Sequence, residues 1–509
     1  FDNAKTIEAA FSDLVLQDNM NSDVIEVSDT VSLVLRLNTY QEANVKPIAE
    51  VEAQIKTILV AQKATEKAQN TVDELLVQNH SGEIYLNEQN DISLTELSNS
   101  TGLVNIVSET GGITSSNILT SSGDLDLTAA TAINLQAQNQ LTGALSLTAG
   151  EGVTVNNNAT TTISSINATS ATINSAESLT ANDDISTTGE LVLASSKADV
   201  SLNGETNADS LIINAATDIQ LANVSVNHFE ATASNGDITA TGSVTVQQDD
   251  SVPSTRLNAE NGTISFENSN NDLDGVSLVA NEAVISDQNG LRLIDVELTD
   301  SLVINANGDV VVSTISAGNA ISIDAGAGAI VSNQSSLTAD EVTLRATTGV
   351  GIGSYDELIA QSSEADEAIN THTGNLSVIN TTSGIVNIEN SQAVTISDLR
   401  NSGDIVIANA GDITLKVSSV DGVALGAVNA NYGHEITNEV YAGKVAILNS
   451  GEDSLYTTGL GLNEADITAE SLLINSVNLF GTASQPIRLR VNENFTLIGV
   501  LASLNYFGG

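Results

Sequence analysis

A right-handed parallel β-helix, preceded by a small mixed α/β module or helical cap, is the fold this sequence predicts, and three observations carry that prediction. From about residue 80 onward, short stretches alternate apolar and polar residues and are punctuated by Gly, Asn, Asp and Ser. These stretches echo one another: Gly123-Asp124-Leu125-Asp126-Leu127-Thr128-Ala129 returns twenty residues later as Gly143-Ala144-Leu145-Ser146-Leu147-Thr148-Ala149. Aromatic residues are 3% of the chain and tryptophan is absent, which removes the large side chains that a row of β-sandwiches buries between its sheets.

Residues 1–79 read as a separate module. They carry 13 acidic and 6 basic side chains, and five of the eight lysines lie before residue 70. Thr6 to Leu16 suits a short helix, and Val31 to Leu37 alternates like a strand. Pro47 opens a glycine-free stretch in which Ile48, Val51, Ile55, Ile58, Leu59 and later Val72, Leu75 and Leu76 recur at three- and four-residue intervals. That spacing predicts an amphipathic helix near 46–77, with Pro47 in its first turn. Such a helix suits a cap over the open end of a solenoid, or an oligomerisation or docking element.

Residues 80–509 read as the β-helical shaft. Alternation turns Leu125 and Leu127 to one face and Asp126 to the other, so each strand has one buried side. Gly is expected to supply positive φ at the corners, and the following Asp or Asn to bond the turn backbone. One such unit cannot bury its apolar face alone and must stack on its neighbours. At ~21 residues per coil and ~4.8 Å per stacked strand, the shaft would hold ~20 coils over ~100 Å. Abundant Asn, Ser and Thr suit ladders of like side chains stacked coil upon coil. A longer string, Asn207–Ala215, returns at Thr338–Ala346 and Thr468–Ser476, a higher-order repeat of about 130 residues.

Charge and composition exclude several functions. With 64 acidic against 15 basic residues the net charge is −49, which rules out binding nucleic acid by phosphate neutralisation. The absence of cysteine removes disulfide frameworks, zinc–thiolate sites, iron–sulfur clusters and a cysteine nucleophile. No apolar run approaches the ~18 residues of a membrane-spanning helix, so membrane insertion is not expected. A surface this acidic keeps a large chain soluble, offers carboxylates to divalent cations, and suits an extracellular setting.

Ala320-Ile321-Ser322-Ile323-Asp324-Ala325-Gly326-Ala327-Gly328-Ala329-Ile330 leads into Leu337-Thr338-Ala339 and Gly349-Val350-Gly351-Ile352-Gly353-Ser354, then Gly384–Asn390 and Gly403–Ile407. With the second copy at Phe480–Leu497, this pattern resembles the β-helical shafts of filamentous-haemagglutinin-like giant secreted bacterial adhesins. The likeness covers residues 80–509. It implies a secreted, surface-attached bacterial fibre or adhesin shaft.

Candidate sites are few. Asn270, Asp272 and Asp274 place side-chain oxygens at alternate positions before Gly275, like the first half of a calcium-binding EF-hand loop. The match stops there, because position twelve is Asn281 rather than Glu. No cofactor is required by any motif, and calcium is the one ligand with a pattern behind it. Carboxylate pairs stand at Asp183-Asp184, Asp249-Asp250 and Glu452-Asp453, where solvated turns account for them. The histidines, His80, His228, His372 and His434, are dispersed, and no nucleophile elbow or phosphate loop is present. The reading is a non-catalytic structural and adhesive shaft whose partners are neighbouring repeats or other copies end to end, and a cell-surface ligand. The alternatives are a self-assembling subunit of an extracellular filament and, in another class, a carbohydrate-active β-helix enzyme or tailspike-like depolymerase.

Overall fold

The computed structural model describes residues 4–11, 15, 20–28, 31–36, 38–39, 51–52, 54–60 and 63, then 75–247, 253–360, 367–416, 418–420, 423–425, 427–430, 443–449, 453–458, 465–475 and 479–498. The chain divides into two compact units, Phe1–Val72 and Asp73–Gly509.

In the first unit Ala4–Ala10 is helical, and Ile25–Ser28 pairs antiparallel with Val31–Leu33. Residues 51–52, 54–60 and 63 are helical, and the remainder of the expected helix before residue 75 lies outside the described residues. Its last turn is not helix. Leu75–Asn79 is a strand whose partners Leu76↔Glu96 and Val77↔Leu97 place it in the second unit. Leu75 and Leu76 fit a helical spacing, but a parallel partner strand is on offer and pairs one edge of the segment's backbone.

The second unit is a parallel β-solenoid of about 19 turns. Repeats seen in the sequence stack in space: Leu125 lies beside Leu145, Asp126 beside Ser146 and Leu127 beside Leu147. One column of strands runs through Gly152–Asn157, Ser170–Ser175, Glu190–Ser195, Ser210–Ala215 and His228–Ala233, all in register. Inward positions hold Val, Ile, Leu and Ala at near-zero exposure, such as Val155, Ile173, Leu193 and Ile213. They form one continuous core from Val77 to Ile487. The only stacked aromatic pair inside the coils is Phe229 with Phe266, centroids 6.5 Å apart, among the described residues.

The longer string does not keep one face of the coil. Ser210–Ala215 sits between Glu190–Ser195 and His228–Ala233, whereas Glu341–Ala346 continues the column of Ser301–Ala306 and Ala320–Asp324. That second column traces back through Ala283–Asp287, Ile264, Ile238 and Ile219 to Val200, not to Ser210. Every face asks for the same alternating pattern, so the same string serves on either.

Glycine serves the corners in two ways: Gly102, Gly384 and Gly411 adopt the expected positive φ, at 89°, 87° and 136°. Gly123 and Gly143 have no positive φ; instead a Cβ on Gly123 would stand 2.1 Å from the Gly102 carbonyl oxygen, and one on Gly143 2.1 Å from that of Gly123. Stacked corners approach so closely that only hydrogen fits.

Inside other corners asparagine closes the backbone. Asn139 Oδ1 accepts the Leu119 N–H at 2.9 Å, Asn157 Oδ1 that of Leu141 at 2.9 Å, and Asn390 Oδ1 that of Thr373 at 3.1 Å. The amide nitrogens carry the ladder onward: Asn380 donates to Asn401 Oδ1 at 2.7 Å and Asn390 to Asn409 Oδ1 at 2.8 Å. Each such side chain satisfies a buried N–H that no strand reaches.

Part of the chain between residues 354 and 373 packs on the shaft itself. Helix Tyr355–Ile359 lies on outward-facing Ile385, Val406 and Ala446, burying them with Tyr355 and Leu358. Lys444 sits 5.2 Å over the Tyr355 ring and pairs with Asp356 at 3.6 Å, while burial pushes the Tyr355 phenol up to about 12.

Replacing Asn390 by Ala strands the Thr373 N–H and breaks the link to Asn409, so urea unfolding is expected to show a loss of about 1–3 kcal/mol. An unchanged midpoint would mean that the ladder contributes nothing.

Candidate functional site

The expected calcium loop lies on one edge of a polar cleft. Asn271, fully buried, is the ladder residue of this corner: its Oδ1 accepts the Val244 N–H at 2.9 Å, and its Nδ2 donates to Phe266 O at 3.0 Å and Ser286 O at 3.1 Å. Flanking it, Asn270 is exposed, with its backbone N–H donating to Asn268 Oδ1. Asp272 accepts from Gln288 Nε2 at 2.9 Å and Asn289 Nδ2 at 3.0 Å. Asp274 is paired with Arg292 at 2.6 Å. Oxygens of Asp272 and Asp274 are thus engaged by amide and guanidinium donors, and no group of three acidic or histidine side chains suited to a metal ion occurs among the described residues.

One coil further on stands a residue that the sequence reading passed over. Asp287 is 2% exposed and takes the place that asparagine holds at other corners, its Oδ2 accepting the Leu273 N–H at 2.7 Å and its Oδ1 the Asn289 N–H at 3.0 Å. Burial pushes its carboxyl up to about 6, against the two N–H donors, and the charges of Asp272 and Asp274 push in the same direction as burial. The signal was present in the sequence as an Asp where the corners use Asn. It was hidden because Asp and Asn are equally common in exposed turns.

The cleft has a volume of about 520 Å³ and is lined by Ser286, Asp287, Gln288, Asn305, Asn307 and Asp324, among others. Register builds it: Ser286, Asn305 and Asp324 are neighbours on three successive coils. Asp324 is held by the Gly326 N–H at 2.8 Å and faces Arg345 at 3.5 Å. Hydroxyl, amide and carboxyl groups of this kind hydrogen-bond hydroxyl-rich or cationic ligands and repel anions.

The remaining candidates stay apart. Asp184 Oδ1 accepts the Glu205 N–H at 2.9 Å, a turn role; Asp249, Asp250 and Glu452 lie outside the described residues. His228 stands on a strand beside Ser210, His372 Nδ1 meets Ser391 Oγ at 2.8 Å, His80 is exposed, and His434 lies outside the described residues. Among the described residues no helix is long and apolar enough to cross a membrane.

With a folded value near 6 against 3.8 for the free side chain, the Asp287 contribution is fully present below pH 4 and is lost as pH rises toward 6. Asp287→Asn removes the titrating group but leaves one of the Leu273 and Asn289 N–H groups without its acceptor, so the stability of the variant relative to wild type is expected to rise by about 1–3 kcal/mol between pH 4 and neutral pH in denaturant titrations. A difference that stays constant with pH would remove the buried charge as its cause.

Compared with protein-family models, residues 81–148 and 208–280 match repeats of unknown function (DUF5649). Compared with the curated proteins and the solved structures, the chain matches none of them. The family match and the stacked coils agree that the chain is a β-solenoid repeat protein.

Proposed function

We propose that this chain is the shaft of a secreted, surface-attached bacterial protein, structural and adhesive rather than catalytic. The observation that carries the reading is the parallel ladder that links coil to coil, among the described residues, from Leu75 to Ile498 over one aliphatic core. Such a ladder resists bending and stretching, because displacing one coil breaks several backbone hydrogen bonds at once. The charge of −49 keeps neighbouring shafts apart and invites bridging by divalent cations. The resemblance of its repeats to filamentous-haemagglutinin-like shafts supports export and adhesion.

A second reading, the filament subunit, is favoured by the two ends of the solenoid. Ile84 and Leu86 on one side and Phe495 and Leu497 on the other face inward yet stay only half-buried. A further coil, from neighbouring repeats or from another copy, would cover them and pair the strand edges that have no partner among the described residues.

Negative-stain electron microscopy with and without EDTA tests both. Filaments with a regular axial repeat are expected if copies join end to end, and their loss on chelation would put cations at the joints. Isolated short rods would remove the filament reading, and hydrolysis of an oligosaccharide by the purified chain would overturn the non-catalytic one.

A further inference from the structure

Five Asn-Gly steps occur in the solenoid, at Asn203, Asn235, Asn261, Asn289 and Asn307, and all five asparagines are exposed. Asn-Gly is the step at which the following amide nitrogen most easily reaches the side-chain carbonyl carbon, because glycine brings no side chain to obstruct it. Proximity makes the reaction intramolecular, so local geometry decides which step reacts.

That geometry separates the five. Asn261 and Gly262 lie within strand Thr255–Phe266, where its register shifts between Ala259 and Thr263, and Asn261 is tethered through Nδ2 to Ser234 O at 3.3 Å. The other four sit in turns, and the N–H groups of Gly204, Gly236, Gly290 and Gly308 donate no hydrogen bond among the described residues. Three of those four asparagines are tethered through Nδ2: Asn203 to Asn182 Oδ1 at 3.2 Å, Asn235 to Ala216 O at 3.4 Å and Asn289 to Asp272 Oδ1 at 3.0 Å. Asn307 is held only by its backbone, whose N–H donates to Asn289 O at 3.0 Å, and its side-chain amide has no partner among the described residues.

We propose that Asn307-Gly308 is a site of spontaneous covalent modification, a deamidation that places a new carboxylate in the polar cleft. The Gly308 nitrogen bonds to Asn307 Cγ, the Cγ–Nδ2 bond breaks, and Nδ2 leaves as ammonia carrying the Gly308 proton. Water then opens the resulting succinimide at one of its two carbonyls, giving Asp or isoaspartate. Either product adds negative charge beside Asp324 and Asp287, which line the same cleft. Isoaspartate also lengthens the backbone by one carbon. The corner has no room for it, since even a Cβ on Gly308 would stand 2.8 Å from the Asn289 carbonyl carbon and the Gly290 nitrogen. The joint between strands Ser301–Ala306 and Val310–Ala317 therefore records the age of the molecule.

The full chain is aged in mildly alkaline buffer at physiological temperature, and peptides are mapped by mass spectrometry with fragmentation that distinguishes isoaspartate. A gain of about 1 Da is expected at Asn307 before any other step, with Asp and isoaspartate both present. Asn307→Gln should abolish that signal and leave the circular dichroism spectrum and thermal midpoint of the fresh protein unchanged. Conversion of Asn203, Asn235 or Asn289 ahead of Asn307, or no conversion at all, overturns the assignment.

Discussion

The whole solenoid depends on one constraint: successive coils must stack in register. Each inward side chain is covered by the side chains above and below it, so Leu127 is shielded by Ile106 and Leu147 rather than by a second sheet. A slip of one residue would turn Leu125 and Leu127 outward and Asp126 inward, replacing apolar burial with a buried charge on every coil that followed. The corners enforce the register. Gly123 fits only against Gly102, and Asn157 reaches the Leu141 N–H only when the coils are aligned. Cohesion along the axis is therefore local: each coil interacts with its two neighbours, and the total grows with the number of coils.

This locality explains what the sequence made legible. Alternation, the echo of 123–129 in 143–149 and the lack of aromatics are properties of single coils, and they led to the fold and nearly to the number of turns. The boundary at Leu75 was less visible, because Leu75 and Leu76 satisfy both a helical and a strand pattern and only the partner at Glu96–Leu97 decides between them. The copies of the longer string fall on different faces for the same reason, since nothing in an alternating strand records which side of the coil it occupies. The candidate site was legible only in part. Asp272 and Asp274 could be read as an oxygen-rich turn, but their engagement by Gln288, Asn289 and Arg292 arises one coil away. The burial of Asp287 depends on which coil stacks over it.

Two buried carboxyls show how differently the solenoid accommodates a charge. Asp466, with no exposed surface, accepts Thr457 Oγ1 at 2.7 Å and the Arg488 N–H at 2.7 Å, and the Arg488 guanidinium stands beside it at 3.5 Å. A hydroxyl, a backbone N–H and a cation thus meet this carboxyl inside the coil. Asp287 has two N–H donors, while the Arg292 guanidinium pairs with Asp274. Burial and the neighbouring carboxylates then favour the proton, and the protonated group is closer in chemistry to the asparagine found at other corners.

The cleft at residues 286–326 follows from the same arrangement. A coil face is flat and its inward side chains are sealed, so recesses arise where corners carry polar side chains of unequal length. Ser286, Asn305 and Asp324 stack as one such series, and Asp287 lies beneath it. The corners therefore hold the coils in register and also carry the groups able to change charge: a carboxyl that burial pushes up to about 6 and an asparagine whose amide is untethered. Any chemistry at the cleft is transmitted directly to the coil contacts that keep the shaft together, because the same turns serve both.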